Sequence, residues 1–236
     1  MKFNSNDVIC IILARGGSQG LKNKNLRKLD NKPLIYFPII AALKSKYIGH
    51  VLVSTDSKKI SNVAKKIGAT VPFLRPKKLS GSYATTENSL KHALMEYEKK
   101  INKKFKICVF ITATDIFRKN IWIDNCVKYL IKNPKIESVF YGYKTSKNFW
   151  ECKNGNWKRL KKWMKIYSSR QIRKTIVRED TGLACASRSY LWRQGKRIGD
   201  KVKIMTNEDS FSSIDIHTIE DLKLAEAAIK IRRNKL

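Results

Sequence analysis

One short segment near the start of the chain constrains the fold more than any other. Residues 8–14 read VICIILA, and the glycine-rich string RGGSQG follows without a break. A continuous apolar run of this length is typical of a strand buried on both faces, as strands are in a parallel sheet covered by helices. The sequence therefore predicts an α/β fold whose first strand ends in a glycine-rich loop.

Strand-like and helix-like segments alternate after this loop. In chain order they are the strand 50–54, the helices 60–67 and 90–97, the strand 106–112, the helix 123–130 and the strand 137–141. Thr218 and Asp221 form a capping-box pattern that opens a last helix. The alternation predicts a three-layer α/β sandwich with a mostly parallel sheet. The length of 236 residues fits a single domain over 1–236.

The pattern changes between 142 and 178. The string WECKNGNWKRLKKWM carries an Asn-Gly pair, which is typical of a hairpin turn. Three tryptophans, Trp150, Trp157 and Trp163, lie in the same string. We interpret 142–178 as an inserted hairpin that packs against a second subunit, since aromatic residues are enriched at interfaces. The alternative, that the tryptophans close the edge of the sheet, is equally open.

The charge of the chain raises the question of a nucleic-acid partner. Lys and Arg number 50 against 19 Asp and Glu, which gives a formal net charge of +31. The lysines are spread over nearly every predicted element, whereas nucleic-acid readers concentrate charge and interleave aromatic residues. We therefore favour a solvated basic surface that attracts anionic substrates over a polyanion partner.

Cysteine usage and hydropathy bear on the compartment of the protein. The five cysteines are scattered and form no CxxC pair, so neither disulfides nor a zinc site is expected. No apolar stretch approaches the roughly 20 residues that cross a bilayer, and the N-terminal segment lacks a cleavage pattern. We expect a cytoplasmic protein without a membrane segment.

The glycine-rich loop, residues 13–26, carries the first chemical signal. It reads LARGGSQGLKNKNL, in which Gly16, Gly17 and Gly20 let the backbone turn and direct its N–H groups at phosphate oxygens. Arg15, Lys22 and Lys24 add positive charge. The loop is neither a Walker A motif nor a GxGxxG motif. Taken alone, a phosphate site and a simple tight turn are both open.

The full string resembles the acylneuraminate cytidylyltransferases, the CMP-sialic acid synthetase family. The first strand of that family leads into an ARxGSKGxxxKN loop that wraps the triphosphate of CTP. The matching positions are Arg15, Ser18, Gly20, Lys24 and Asn25, while Gln19 replaces a lysine whose charge Lys22 would supply. The resemblance continues through 74–76 and makes Arg75 a candidate CTP contact. Without the resemblance, Arg75 and Pro76 read as a simple turn.

Substrate residues follow from the same resemblance. Relatives carry QPTSPLR where this chain reads TATDIFR, so Thr112 and Arg118 are the candidate sugar contacts. Arg170 lies where the family places an arginine that binds the acceptor's carboxylate, a role that suits a planar bidentate donor. The family string NGAIY is replaced by TGLAC at 181–185. The nature of the sugar therefore stays open.

The second motif, DSFSSIDIH at 209–217, resembles the family's SIDIDT segment, which carries Mg²⁺ ligands. Asp215 is accordingly the expected metal ligand, with a purely local hydrogen-bonding role as the alternative. His217 replaces the second aspartate and is either a base or phosphate donor, or structural. Asp115 follows a buried strand and is expected to share the Mg²⁺ with Asp215. Otherwise Asp115 caps the next turn.

This resemblance implies a nucleotide-diphospho-sugar transferase-like fold and a homodimer. It also implies which reaction the protein catalyses. In this reaction, CMP passes from CTP to the anomeric hydroxyl of a sialic-acid-like keto-sugar acid, and pyrophosphate is released. The expected catalytic residues are Arg15, Lys24, Asp215 and His217. The alternatives are a nucleotidyltransferase for an octulosonate or a sugar phosphate, and a basic nucleic-acid-binding protein.

Overall fold

The structure is a computed structural model that describes residues 4–169 and 171–234. The strands are β1 (Val8–Leu13), β2 (Lys28–Leu29), β3 (Lys32–Pro33), β4 (His50–Ser54), β5 (Ile107–Phe110), β6 (Ser138–Thr145), β7 (Trp150–Lys153), β8 (Asn156–Arg159), β9 (Ile176–Glu179), β10 (Cys185–Arg188) and β11 (Val202–Asn207). The helices are α1 (Tyr36–Leu43), α2 (Lys58–Ile67), α3 (Thr86–Ile101), α4 (Asn120–Lys132), α5 (Ser189–Arg193) and α6 (Ile219–Arg233).

Seven of these strands form one central sheet. Its order is β11-β6-β10-β5-β1-β4, and β9 also pairs with β6. β1 is parallel to β4 and β5, and β6 is parallel to β11. β10 runs antiparallel between β5 and β6, and β9 is antiparallel to β6. The prediction of a mostly parallel sheet is confirmed, with β9 and β10 as its two antiparallel members.

β1 is the strand around which the layers assemble. Val8, Cys10 and Ile12 pack on one face with residues of α1, α2 and α4. Ile9 and Ile11 pack on the opposite face with residues of α3 and α5. Burying each isoleucine stabilises the fold by about 1.5–3 kcal/mol. The continuous apolar run is therefore explained by helices on both faces, which confirms the predicted three-layer sandwich.

A third apolar cluster brings the C-terminal helix against the loops at the carboxyl ends of the strands. Leu222, Ala225 and Ala228 of α6 pack with Leu21 of the glycine-rich loop, and with Phe117 and Ile216. The predicted capping box at the start of α6 is present: Thr218 accepts from the backbone of Asp221, and Asp221 accepts in return from the Thr218 backbone N–H. This helix thus holds three separate segments together.

The segment 142–178 leaves the sheet over a shorter range than the sequence suggests. β6 continues to Thr145, and β9 returns from Ile176 to pair with it. Between them β7 and β8 form a separate hairpin. Its turn residues Asn154 and Gly155 have φ values of 51° and 78°, as the predicted Asn-Gly turn requires. Trp150 and Trp157 are exposed. No helix of the described residues is long and apolar enough to span a bilayer.

Candidate active site

A cleft of about 580 Å³ lies at the carboxyl ends of β1 and β5. Four regions build its walls: the glycine-rich loop, the segment 75–89, the residues at the end of β5 and after it, and His217 with Thr218 before α6. The residues of the sequence prediction that line it are Arg15, Ser18, Gly20, Lys24, Asn25, Arg75, Thr112 and His217. The carboxyl edge of an open α/β sheet is the usual place for a binding site.

The glycine-rich loop is held against the second motif by a close backbone approach. A Cβ atom on Gly20 would lie 2.7 Å from the His217 carbonyl oxygen, which is too close for any side chain. None of the three loop glycines has a positive φ. The expected role of Gly20 in turning the chain is therefore corrected, because it is the space beside His217 that requires glycine. The other end of the loop is fixed by the Gly16 N–H, which donates to Asp56 Oδ1 at 2.8 Å.

Two cations of the loop region face the cleft. Asn25 donates from Nδ2 to the Arg15 carbonyl at 3.0 Å, which fixes the backbone beside the Arg15 side chain. Burial lowers the pKa of the Lys24 ammonium, and the nearby Asp215 carboxylate partly offsets this shift. Lys22, the expected substitute for the missing lysine, is not among the described residues that line the cleft. Positive charge here therefore comes from Arg15 and Lys24.

Arg75 is a buried side chain rather than part of an exposed turn. Its Nε donates to Ser80 Oγ at 3.1 Å, and its backbone N–H donates to the Thr55 carbonyl at 2.7 Å. Burial lowers the pKa of its guanidinium, and the Asp56 carboxylate opposes that shift. Arg75 thus supplies a third fixed cation on the wall opposite the loop.

Thr112, which is half-buried, is paired with the buried Asp115 at the edge of the cleft. Thr112 lines the cleft, and its hydroxyl donates to Asp115 Oδ2. Burial raises the pKa of the Asp115 carboxyl to about 6, and the negative charge of Asp215 adds to the shift. A Cβ atom on Gly182 would lie 2.0 Å from Asp115 Oδ2, so only glycine fits beside this carboxylate. Asp115 is close enough to Asp215 for their charges to interact.

Arg118, expected to contact the sugar, is buried and turned towards the backbone. Its Nε donates to the Leu183 carbonyl at 2.8 Å. Its Nη2 donates to the Thr112 carbonyl at 2.6 Å and to the Gly182 carbonyl at 2.7 Å. Burial lowers the pKa of the guanidinium to about 10, although Asp115 opposes the shift. Arg118 therefore braces the turn that carries Thr112, and it is not among the described residues that line the cleft.

The pair Asp215 and His217 lies beside the same cleft. His217 Nε2 is 2.8 Å from Asp215 Oδ2, and both side chains are well exposed. The His217 backbone N–H donates to Asp221 Oδ2 at 2.8 Å, so the start of α6 fixes this end of the motif. Arg170, the expected carboxylate contact, lies outside the described residues.

Comparison with known proteins identifies the family. The family model described as Cytidylyltransferase matches residues 9–231, nearly the whole chain. The chain belongs to the cytidylyltransferase family. The resemblance recognised in the glycine-rich loop and the 209–217 motif is thereby confirmed, and the protein is an enzyme of this family.

Two relatives and one solved structure illustrate the similarity. A pseudaminic acid cytidylyltransferase of Campylobacter jejuni is 28% identical over 230 residues, covering 94% of this chain and 96% of that protein. An N-acylneuraminate cytidylyltransferase of Escherichia coli is 36% identical over 132 residues, or 56% of this chain and 30% of the relative. A CMP:2-keto-3-deoxy-manno-octonic acid synthetase complexed with CTP shares the fold, with a TM-score of 0.69 at 12% identity, over 95% of this chain and 99% of that one.

The carboxylates of this cytidylyltransferase fit a magnesium ion that is shared with a nucleotide. No group of three or more metal-binding side chains occurs among the described residues. Mg²⁺ does not need one, because it commonly takes one or two carboxylates together with phosphate oxygens and keeps several waters. Asp215 is exposed, and its charge acts on the cleft residue Lys24. The donor set therefore suits a metal that arrives with the triphosphate.

Sequence reasoning on this cytidylyltransferase missed two acidic residues of the site. Asp56, which holds the loop, follows β4 at the carboxyl edge of the sheet, and the argument that singled out Asp115 could have found it. Asp180 binds Arg178 through both carboxylate oxygens, at 2.7 Å and 3.1 Å. The charge of Arg178 acts on Asp115 and Asp215, so the Arg178–Asp180 pair lies near them. Only the tertiary structure brings this pair to the site.

The contact between Gly20 and His217 predicts a sharp difference between two loop glycines of this cytidylyltransferase. We expect Gly20→Ala to lower kcat/KM for CTP by about ten-fold or more, because displacing the loop misplaces Arg15 and Lys24. Gly17→Ala is the matched control, since a Cβ atom there meets nothing within 4 Å. Steady-state kinetics with thermal melting would test this. Equal losses in both variants would contradict the packing argument.

Proposed function

We propose that the enzyme transfers CMP from CTP to the anomeric hydroxyl of a sialic-acid-like nonulosonic acid and releases pyrophosphate. The observation that carries this proposal is the charge of the cleft. Arg15, Lys24 and Arg75 face one space, and no acidic side chain is among the described residues that line it. A site of this kind favours a polyanion such as a nucleoside triphosphate.

The proposed reaction is an in-line displacement at the α-phosphorus of CTP. The anomeric hydroxyl loses its proton to solvent and its oxygen forms a bond to this phosphorus. The bond from phosphorus to the α,β-bridging oxygen breaks, and pyrophosphate leaves with that electron pair. Arg15, Lys24 and the loop amides, with Ser18, Gly20 and Asn25, would hold the phosphates in position. Arg75 would bind the nucleoside end. His217 would hydrogen-bond a phosphate or the attacking hydroxyl.

Magnesium would be held by Asp215, and we propose that Asp115 shares it directly or through water. The bound ion would neutralise charge on the phosphates. Support comes from the proximity of the two carboxylates, since burial and then the charge of Asp215 raise the pKa of Asp115. The hydroxyl of Thr112 already donates to Asp115, so a capping role for Asp115 remains the competing hypothesis.

The acceptor is proposed to be a nine-carbon keto-sugar acid. Similarity to the pseudaminic acid cytidylyltransferase extends over nearly the full length of both chains, which favours this class. The likeness to the octonic acid synthetase concerns the fold alone. Thr112 would contact the sugar, Arg118 would keep Thr112 in place, and Arg170 would bind the carboxylate.

Pyrophosphate release from CTP tests the proposed reaction. We expect turnover with CTP and a nonulosonic acid such as pseudaminic, legionaminic or N-acetylneuraminic acid, and little turnover with an octulosonic acid. ATP should be a poor substitute for CTP. Equal turnover with ATP, or activity with the octulosonic acid alone, would refute the proposal.

One arginine variant and one lysine variant of the glycine-rich loop extend this test. Arg15→Ala should lower kcat/KM by at least about ten-fold, because a lost charged hydrogen bond costs roughly 1.5–3 kcal/mol. Lys22→Ala removes a charge from the same loop but from outside the cleft lining, and it should change kcat/KM by less than about three-fold.

Magnesium titration of carboxylate variants tests the metal assignment. Asp215→Asn and Asp115→Asn should both raise the Mg²⁺ concentration needed for half-maximal activity, and excess chelator should abolish activity. Glu220→Gln is a matched control, since it removes an exposed carboxylate from the first turn of α6. A normal Asp115→Asn profile would leave Asp215 as the sole protein ligand, and a normal Asp215→Asn profile would remove the proposed site.

We also propose a homodimer whose interface includes the segment 142–178. Large apolar side chains are exposed on it, namely Trp150, Trp157, Ile166, Tyr167 and Ile172. A patch of this kind is typical of an interaction surface, and a self-complementary patch produces a two-fold dimer.

Light scattering at micromolar concentration tests the dimer. The mass should be twice that of one chain, and the double variant Trp157→Lys/Ile172→Lys should be monomeric, because two buried lysines would oppose association. Ile121→Lys, which alters an exposed isoleucine of α4, should leave the mass unchanged. A monomeric wild-type protein would refute the dimer.

A further inference from the structure

Two walls of the cleft, from distant parts of the chain, meet at a pair of hydrogen bonds. Gln19 Nε2 donates to Ser82 Oγ at 2.7 Å. Arg15 Nη1 donates to the Gly81 carbonyl at 3.2 Å. All four residues line the cleft. The glycine-rich loop is thereby joined across the cleft to the segment 79–86, which we call the opposite wall.

The tips of both walls make few other contacts. A Cβ atom added at Gly17 or at Gly81 would meet nothing within 4 Å, and the side chain of Tyr83 is 100% exposed. The bases of the walls are fixed, since Gly16 is bound to Asp56 and Ser80 accepts from Arg75. Segments that are anchored at the base and open at the tip are free to separate at low cost. The two cross-cleft hydrogen bonds therefore decide whether the walls are joined.

These two hydrogen bonds differ in how they respond to a triphosphate. The Arg15 guanidinium is always charged, and a phosphate oxygen offers it a hydrogen bond together with the attraction of an opposite charge. A phosphate oxygen therefore competes well against the neutral Gly81 carbonyl for Arg15. The Gln19 amide is neutral and gains much less from a phosphate, while Ser82 offers it a well-placed acceptor. The bond from Gln19 to Ser82 is thus the one that persists when nucleotide binds.

We propose that Gln19 and Ser82 form a latch that holds the opposite wall against the bound nucleotide. The two residues act as positioning residues, because they set the distance between the glycine-rich loop and the opposite wall. The latch rests on the proposed function in one respect, namely that the bound nucleotide is CTP. It prolongs the residence of the nucleotide without contributing charge to the reacting phosphates.

A double-mutant cycle tests the latch through CTP binding. Gln19→Ala and Ser82→Ala should each weaken CTP binding by about 2- to 12-fold, the range expected for one neutral hydrogen bond. The double variant should bind CTP no more weakly than the single variant with the lower affinity, because both changes remove the same hydrogen bond. Ser82→Thr keeps the hydroxyl and should restore binding. Tyr83→Ala alters the same wall without touching the latch and should bind as the wild type does.

Two further measurements distinguish the loss of the latch from a general disturbance of the folded structure. The loss should appear in KM for CTP, while kcat changes by less than about two-fold. Hydrogen exchange of peptides covering 79–86, measured without nucleotide, should be faster in Gln19→Ala and Ser82→Ala than in Tyr83→Ala. Additive losses in the double variant, or unchanged exchange in both single variants, would overturn the latch. Failure of the wild-type protein to bind CTP would instead refute the proposed function, and the exchange data would still test the latch.

Discussion

The close approach of Gly20 to the backbone carbonyl of His217 is the contact on which the rest of the site depends. It fixes the glycine-rich loop against the motif that carries Asp215, although the two lie at opposite ends of the sequence. The contact is maintained by the apolar cluster beneath it, in which Leu21 and Ile216 pack against α6. A rigid shared base lets charged groups be held at set distances, which is what catalysis by positioning requires.

A second constraint lies behind the cleft near Thr112, where opposite charges are buried together. Asp115 accepts from Thr112, while Arg118 donates to three backbone carbonyls nearby. Removing one partner would leave an uncompensated buried charge, which is strongly destabilising. The glycine at 182 belongs to this arrangement, because any Cβ atom there would collide with the Asp115 carboxylate. The turn that presents Thr112 is therefore stiff.

The electrostatics of the site separate the cations from the carboxylates. The lining of the cleft carries cations and neutral hydroxyls, while the carboxylates stand beside it or behind it. Burial lowers the pKa values of Lys24 and Arg75, so holding their charged forms in the cleft costs stability. Cations that are already fixed in place need not reorganise when an anion binds. The net charge of +31 adds a long-range attraction for anionic substrates.

Local patterns in the sequence were sufficient to predict the elements that their own residues specify. The apolar run of β1 requires burial on both faces, Asn154 and Gly155 have the backbone freedom that the hairpin turn needs, and Thr218 with Asp221 caps α6. The cleft-lining residues Arg15 and Lys24 were also identified, because the full loop string resembles that of the family, whereas the glycine-rich turn alone left a simple tight turn open. These features depend on neighbours within a few residues.

Only the tertiary structure decided which distant residues meet. Strand order depends on pairing over long separations, so the antiparallel insertion of β10 between β5 and β6 was invisible in the alternating pattern. The burial of Arg118 follows from the carbonyls of 182 and 183, which β10 brings next to the end of β5. Lys22 and Lys24 look alike in sequence, yet only Lys24 lines the cleft. Direction and burial of a side chain are set by the packing of remote segments, which no local pattern encodes.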